Sequence, residues 1–166
     1  MTELDVFEDV SNPLDSVEEI LSANDWVFDR MNEEELSVQV SGKMGEYTMF
    51  FVWHETQSAM QFACEMDVSF NKECLDTAAK TVSAINASLW LGHFDICEEN
   101  NAPRFRHTCL FRGMNSSSGA DHIEDLVEIA IHECERYFPV FHLLTKPEAC
   151  NDLDMGLAML ESAGAA

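Results

Sequence analysis

The chain has 166 residues, of which 46% are hydrophobic and 10% aromatic. This length suits one domain, and this apolar content excludes a disordered chain, because such chains are poor in core-forming residues. Nine basic residues against 31 acidic ones give a formal net charge of -22, which excludes nucleic acid and anionic membranes as partners, because that affinity comes largely from cationic side chains. The acidity either serves solubility alone or steers a basic protein segment towards the surface.

The amino terminus and the cysteines bear on where the protein is found. Met1–Asp5 has neither the basic nor the apolar region of a signal peptide, and no apolar stretch is long enough to span a membrane. We therefore predict a cytoplasmic protein. The six cysteines include no C-x-x-C pair, so core filling is favoured over a zinc knuckle or a redox motif. They are Cys64, Cys74, Cys97, Cys109, Cys134 and Cys150.

The first strong local signal is Asn12-Pro13, because asparagine caps helices and proline favours the first helical position. The predicted helix runs to about Ala23. It opens a single domain in which no internal repeat is visible. The predicted divisions are an acidic segment at residues 1–12, one domain at 13–144 and a tail with a short helix at 145–166.

From Trp26 onward, apolar residues alternate with polar ones, a period that predicts strands. The turns between them are short enough for hairpins, so four strands should form an antiparallel meander. Phe50 and Val52 add apolar side chains to the second face of the third strand, which predicts a central position or cover on both sides. The four apolar runs are Trp26–Phe28, Leu36–Val40, Tyr47–Trp53 and Met60–Met66.

A second helix is predicted from Asn71, a capping residue, to about Trp90. Asn86 lies on its apolar side, and we expect its amide to be hydrogen-bonded to the turn that follows. Gly92 ends the segment. Two short strands are predicted after it, at residues 93–97 and 104–112.

The segment from Met114 to Gly119 is predicted to be a flexible linker into the longest helix, which should start near Asp121. Pro139 removes a backbone donor and is expected to kink or end that helix near Tyr137. A short final helix after Pro147 is predicted from Leu153, Leu157 and Leu160. The predicted fold is α+β, in the order α-β-β-β-β-α-β-β-α plus that helix, with an antiparallel sheet packed by helices.

No catalytic motif is recognisable, since the sequence has neither a G-x-S-x-G elbow nor a G-x-x-x-x-G-K phosphate loop. Carboxylates on the predicted helix faces, such as Glu124, Glu128 and Glu135, are typical of a solvated surface and not of a general acid and base. We therefore predict no catalytic residues.

Six histidines accompany the cysteines, and imidazole together with thiolate suits zinc or copper. His93 and Cys97 share one face of a predicted strand, as do His107 and Cys109, but these spacings do not support a local metal motif. No metal or cofactor is therefore predicted, and a long-range site formed by the fold stays an open alternative.

Arg104, Arg106 and Arg112 alternate along the last predicted strand, on the side opposite Phe105 and Cys109. They are a third of all basic residues in an otherwise negative molecule. Either they pair with the protein's own carboxylates, or they form a docking strip for an acidic partner or a second protomer.

Three stretches of the sequence carry a family resemblance. They are NASLWLGHF at residues 86–94, RFR at residues 104–106 and ECERYFPVF at residues 133–141. In this order they resemble the YbjN family of bacterial sensory transduction regulators. The resemblance extends from about Asp15 to Phe141, and the ending at residues 156–166 is similar to that of alphaproteobacterial members.

The resemblance implies a fold similar to type III secretion chaperones, which are small, acidic and often dimeric proteins that hold a partner's unfolded segment. The leading prediction is a non-enzymatic regulatory or chaperone-like module that binds a protein segment or a second protomer, as a homodimer. The alternative is a small-molecule or metal sensor that uses His93, His107 and nearby cysteines, and an enzyme ranks third.

The first of these stretches also has a structural interpretation. Gly92 permits the turn, while Trp90 and Phe94 are predicted to fill core on either side of it. Asn86 and His93 are expected to hydrogen-bond the carbonyls of the turn. The candidate binding residues are Arg104, Arg106, Arg112, Trp90 and His93.

Overall fold

The computed structural model describes residues 12–151. In this part of the chain, three α-helices pack on one six-stranded antiparallel sheet. The elements are α1 (Leu14–Ala23), β1 (Phe28–Arg30), β2 (Glu35–Ser41), β3 (Glu46–His54), β4 (Ala59–Met66), α2 (Leu75–Asn86), β5 (His93–Ile96), β6 (Pro103–Leu110) and α3 (Ser116–Leu143). The strand order in space is β1-β2-β3-β4-β6-β5.

The predicted class, element order and antiparallel meander are confirmed. Helix α1 ends at Ala23 as expected, and the side chain of Asn12 accepts a hydrogen bond from the Leu14 amide at 3.0 Å. The strand β3 lies inside the sheet, where Phe51 is flanked by Leu36 of β2 and Phe62 of β4. Its central position follows from the apolar side chains that it carries on both faces.

The helices cover one face of the sheet, called here the inner face. Helix α3 contacts β4 and β6, α2 contacts β5, and α1 contacts α3. Burial alternates along β3, where every second side chain is buried on this face and the intervening ones are partly or fully exposed. The hydrophobic core therefore lies between the inner face and the helices, and the opposite face, called the outer face, has no helix upon it among the described residues.

Helix α3 begins earlier than predicted. The presumed linker forms its first turn, because Asn115 and Ser118 make a capping box: the Asn115 side chain accepts from the Ser118 amide at 2.8 Å. The Ser118 hydroxyl in turn accepts from the Asn115 amide. The prediction of a linker from Met114 to Gly119 was wrong because these polar residues satisfy the helix's free amides.

Helix α3 also continues past Pro139 to Leu143, so of the two predicted effects of this proline, a kink or an end near Tyr137, the end is wrong. A proline inside a helix removes one backbone hydrogen bond. The turn beyond it is held by packing, since Val140 and Phe141 are buried. The Phe141 ring meets the Phe94 ring edge-on at 5.2 Å between centroids.

Helix α2 ends at Asn86, before the predicted end at Trp90. The Asn86 amide nitrogen donates to the Phe94 carbonyl at 3.0 Å, and the Phe94 amide donates to the Asn86 side-chain oxygen at 2.7 Å. Asn86 therefore pairs with a residue of β5 and not with the turn carbonyls. The chain turns between the end of α2 and the start of β5. In this turn Gly92 has a φ of +69°, a conformation that favours glycine.

The hairpin between β2 and β3 is anchored to α3 by Glu135. Its carboxylate accepts hydrogen bonds from the amides of Lys43 (2.6 Å) and Met44 (2.8 Å). The hairpin packs closely against α3, because a Cβ atom on Gly45 would lie 2.5 Å from the Phe138 ring. The interpretation of Glu135 as part of a merely solvated surface was therefore wrong.

Four cysteines are free and buried, in agreement with core filling: Cys64, Cys97, Cys109 and Cys134. Cys74 instead forms a disulfide with Cys150, across a sequence separation of 76 residues. No local spacing indicates such a pair. The tail helix predicted through Leu153, Leu157 and Leu160 lies outside the described residues, and within them no helix has the length and apolarity needed to cross a bilayer.

Replacing Glu135 by alanine should lower the free energy of unfolding by about 1–3 kcal/mol, because two backbone amides lose a charged acceptor. Glu128 is exposed on the same helix and provides the matched control. Urea denaturation of Glu128→Ala should differ from the parent by less than about 0.5 kcal/mol. Equal losses in the two variants would contradict the role of Glu135 as an anchor.

Candidate binding face of the sheet

The outer face has an apolar centre. Phe50 and Val52 of β3 lie opposite Ala63 and Gln61 of β4 in the register of the sheet. Both apolar side chains are only partly buried, although they lie in the middle of the sheet. Apolar surface at the centre of an uncovered sheet face is typical of a surface that contacts something else.

A shallow concavity of about 680 Å³ lies over this face. Strands β3 and β4 form its floor, and the residues after β5 form one side. The rim is acidic, since Glu35, Glu65, Glu98 and Glu99 all line it. Its remaining charged residues are Asp95, Arg104 and Arg106.

Two of the predicted arginines meet one carboxylate on this face. Arg104 donates to Asp95 from Nε at 2.7 Å and from Nη2 at 3.3 Å. Arg106 donates to the same carboxylate from Nη1 at 2.9 Å. The arginines therefore pair with a carboxylate of the protein itself, which the two guanidinium groups share, and Glu65 lies opposite Arg104 in the β4–β6 register.

The ion pairs shift the pKa values of both partners. Burial alone raises the pKa of Asp95, but the hydrogen bonds and charges of Arg104 and Arg106 outweigh it and hold the pKa below its usual value. The hydrogen bond to Asp95 raises the pKa of the Arg104 guanidinium, against the opposing effect of burial. Both ions are therefore stabilised by their proximity.

The other three candidate binding residues are exposed, and they lie beside these ion pairs or away from them. His93 is exposed and lies opposite Arg106 in the β5–β6 register, so it borders the outer face. Arg112 is exposed in the turn after β6. The predicted burial of Trp90 is wrong: its side chain is 75% exposed, whereas Phe94 is 1% exposed as expected.

Asp95 was missed as a site residue, although alternation along β5 places it with His93 and opposite Phe94. The missing information was the register, which sets Asp95 directly beside Arg104. Phe50 and Val52 were recognised as apolar on a second face, but only the sheet order shows that no helix of the described chain covers them.

A second group of ligand-type side chains lies where the inner face meets helix α3. The ligand atoms of His107, Cys109 and His122 all lie within 4.8 Å of one another. Burial lowers the pKa of His107, with the neighbouring His122 and His93 adding to the effect. Burial also raises the pKa of the Cys109 thiol to about 11. Of the residues named for the long-range alternative, the fold groups His107 and Cys109 with His122.

Comparison with known proteins agrees with this architecture. The model of the YbjN family, described as "Putative bacterial sensory transduction regulator", matches residues 13–143. A crystal structure of YbjN from E. coli, described as a putative transcription regulator, superposes with a TM-score of 0.50 at 15% identity, covering 75% of this chain and 92% of that chain. At that identity the likeness shows the fold alone. No curated protein sequence matches the chain.

The six-stranded antiparallel sheet with helices on one side defines an α+β protein. The chain belongs to the YbjN family. The resemblance that the sequence motifs indicated is thereby confirmed.

Replacing Asp95 by asparagine should destabilise the protein at pH 7 by about 1–2 kcal/mol, because charge-assisted hydrogen bonds become neutral ones. Since the pKa of Asp95 is lowered in the folded state, its contribution is present above about pH 4 and is lost as the pH falls through the folded value. The difference between parent and variant in urea denaturation should therefore shrink below about pH 4.

The Arg104→Ala/Arg106→Ala background supplies the control for this measurement. Without the two guanidinium groups, burial alone raises the pKa of Asp95, so the acid-dependent component of the Asp95→Asn change should reverse its sign. A parent-to-variant difference that stays constant from pH 7 to pH 2.5 would show that the ion pairs do not stabilise the fold.

Proposed function

We propose that the chain is a cytoplasmic, non-enzymatic regulatory protein that binds a short segment of a partner protein on the outer face of its sheet. The observation that carries the proposal is the apolar pair Phe50 and Val52, exposed in part at the centre of a face that no described helix covers. The YbjN family description supports a regulatory role.

The shortness of the edge strands makes the outer face a better binding surface than the edges of the sheet. The edge strands β1 and β5 have only three and four residues. Short edge strands offer few free backbone groups for a partner strand to pair with. A segment laid across the face instead covers apolar area and reaches the guanidinium groups of Arg104 and Arg106.

The charges around the face indicate the chemistry of the segment. Asp95 uses three of the donors of Arg104 and Arg106, so the remaining guanidinium donors are available to backbone carbonyls or a carboxylate of the partner. Glu98 and Glu99 on the rim are exposed and favour flanking Lys or Arg. The segment that fits has apolar side chains in its middle and basic residues beside them, and the net charge of -22 speeds its approach.

A photo-crosslinking amino acid at Val52 tests the proposal in the cells that make the protein. The same label at Glu128, exposed on helix α3, is the control for non-specific capture. We expect a protein adduct from position 52 that is absent from position 128. Binding of the identified partner to the purified chain should weaken about tenfold or more for Phe50→Asp, since a central apolar anchor contributes more than about 1.4 kcal/mol.

Other outcomes of the crosslinking experiment are equally informative. An adduct formed only with a second copy of the chain would assign the outer face to a homodimer instead. Equal labelling from positions 52 and 128, or a partner whose affinity is unchanged by Phe50→Asp while the variant keeps the parent's melting temperature, would overturn the proposal.

A further inference from the structure

Three ligand-type side chains come together where strand β6 meets the start of helix α3. His107 and Cys109 are two positions apart on β6 and share the inner face, and His122 is in the second turn of α3. Their ligand atoms lie within 4.8 Å of one another. A β-strand places alternate residues on one face, and the helix that follows covers that face, so the fold itself creates the cluster.

The donor set has the chemistry of a site for a borderline-soft metal ion. Imidazole nitrogen and thiolate sulfur are the donors that zinc takes in proteins, at about 2.0–2.1 Å and 2.3 Å respectively. Around a tetrahedral ion such bonds put the donor atoms about 3.5 Å apart, which follows from those lengths. Closing the cluster onto an ion therefore needs side-chain movements of about 1 Å, within the range of small rotations.

The surroundings of the three side chains suit an ion that enters from solvent. Cys109 is 3% exposed, whereas His107 and His122 are only partly buried and give access. His107 and His122 each offer one imidazole nitrogen to the group. The Cys109 thiol must lose its proton as it binds the metal.

We propose that His107, Cys109 and His122 bind one Zn²⁺ ion per chain. Binding forms two Zn–N bonds and one Zn–S bond, and the Cys109 thiol releases one proton to the solvent. The three side chains leave at least one coordination position for water or another ligand, as in zinc sites that are not closed by protein. The ion joins β6 to the first turns of α3.

This site is separate from the proposed binding function. Its residues lie on the inner face and on α3, whereas Phe50, Arg104 and Asp95 line the outer face. The absence of zinc binding would leave the outer-face proposal intact, and the absence of a protein partner would leave the zinc site intact.

Zinc titration of the full chain tests the site, with EDTA-stripped protein, a competing chromogenic chelator and no reductant, so that the Cys74–Cys150 disulfide stays closed and adds no thiol ligands. We expect one ion per chain, with an affinity at least tenfold lower in Cys109→Ser and in His122→Gln. The controls are Cys97→Ser, another buried thiol, and His132→Gln, an exposed histidine on the same helix. Both controls should bind zinc as the parent does.

Two further readouts keep the test decisive if one variant folds poorly. Cobalt in place of zinc should give a thiolate-to-metal absorption band that Cys109→Ser lacks and His132→Gln keeps. Zinc at about 100 times its Kd should raise the melting temperature of the parent by about 5–10 °C, but not that of His122→Gln.

The contrary results are equally specific. No zinc uptake at tens of micromolar, uptake that Cys109→Ser and His122→Gln leave unchanged, or an equal loss in Cys97→Ser would overturn the proposal. Uptake of Cu(I) without uptake of Zn²⁺ would overturn the assignment of the ion.

Discussion

The packing of helix α3 along the inner face is the interaction on which the rest of the structure depends. It runs for 28 residues and is fixed near its beginning, at its middle and at its end. A capping box at Asn115 satisfies its first amides, Glu135 binds the β2–β3 hairpin, and Phe141 packs on Phe94. Packing of this kind also carries the helix past Pro139, where a backbone hydrogen bond is lost.

The one-sided placement of the helices decides where function can lie. Helices α1, α2 and α3 pack their apolar stripes against each other or against the inner face. Among the described residues, no helix therefore covers the outer face. Strand β5 is held to α2 by the paired hydrogen bonds between Asn86 and Phe94. The neighbouring residue of β5, Asp95, lies beside Arg104 through the β5–β6 register, so one short strand contacts a helix on one side of the sheet and an ion pair on the other.

Much of the fold follows from the sequence because apolar and polar residues alternate clearly along β2, β3 and β4, and the turns between these strands are short. The helix ends were harder to predict, since tertiary contacts decided them. Asn86 stops α2 by pairing with β5, and the packing of Phe141 extends α3 beyond Pro139. The prediction of a linker from Met114 to Gly119 failed because the polar composition of this segment is typical of linkers, whereas Asn115 and Ser118 form a capping box that starts a helix.

The candidate sites were predicted only in part, for a different reason. Alternation shows which residues of one strand share a face, and it correctly placed Arg104 with Arg106 and His107 with Cys109. It does not show which residues of other elements lie beside them. Asp95 and His122 join these pairs through the register of β5 and the placement of α3, which are properties of the packed chain.

Helix α3 also spans a long distance across the inner face, because it is one continuous helix of 28 residues. His122 and Glu135 stand roughly 20 Å apart along it, at a rise of about 1.5 Å per residue. One contacts the end of β6 and the other holds the β2–β3 hairpin. A single element thus connects two distant margins of the sheet.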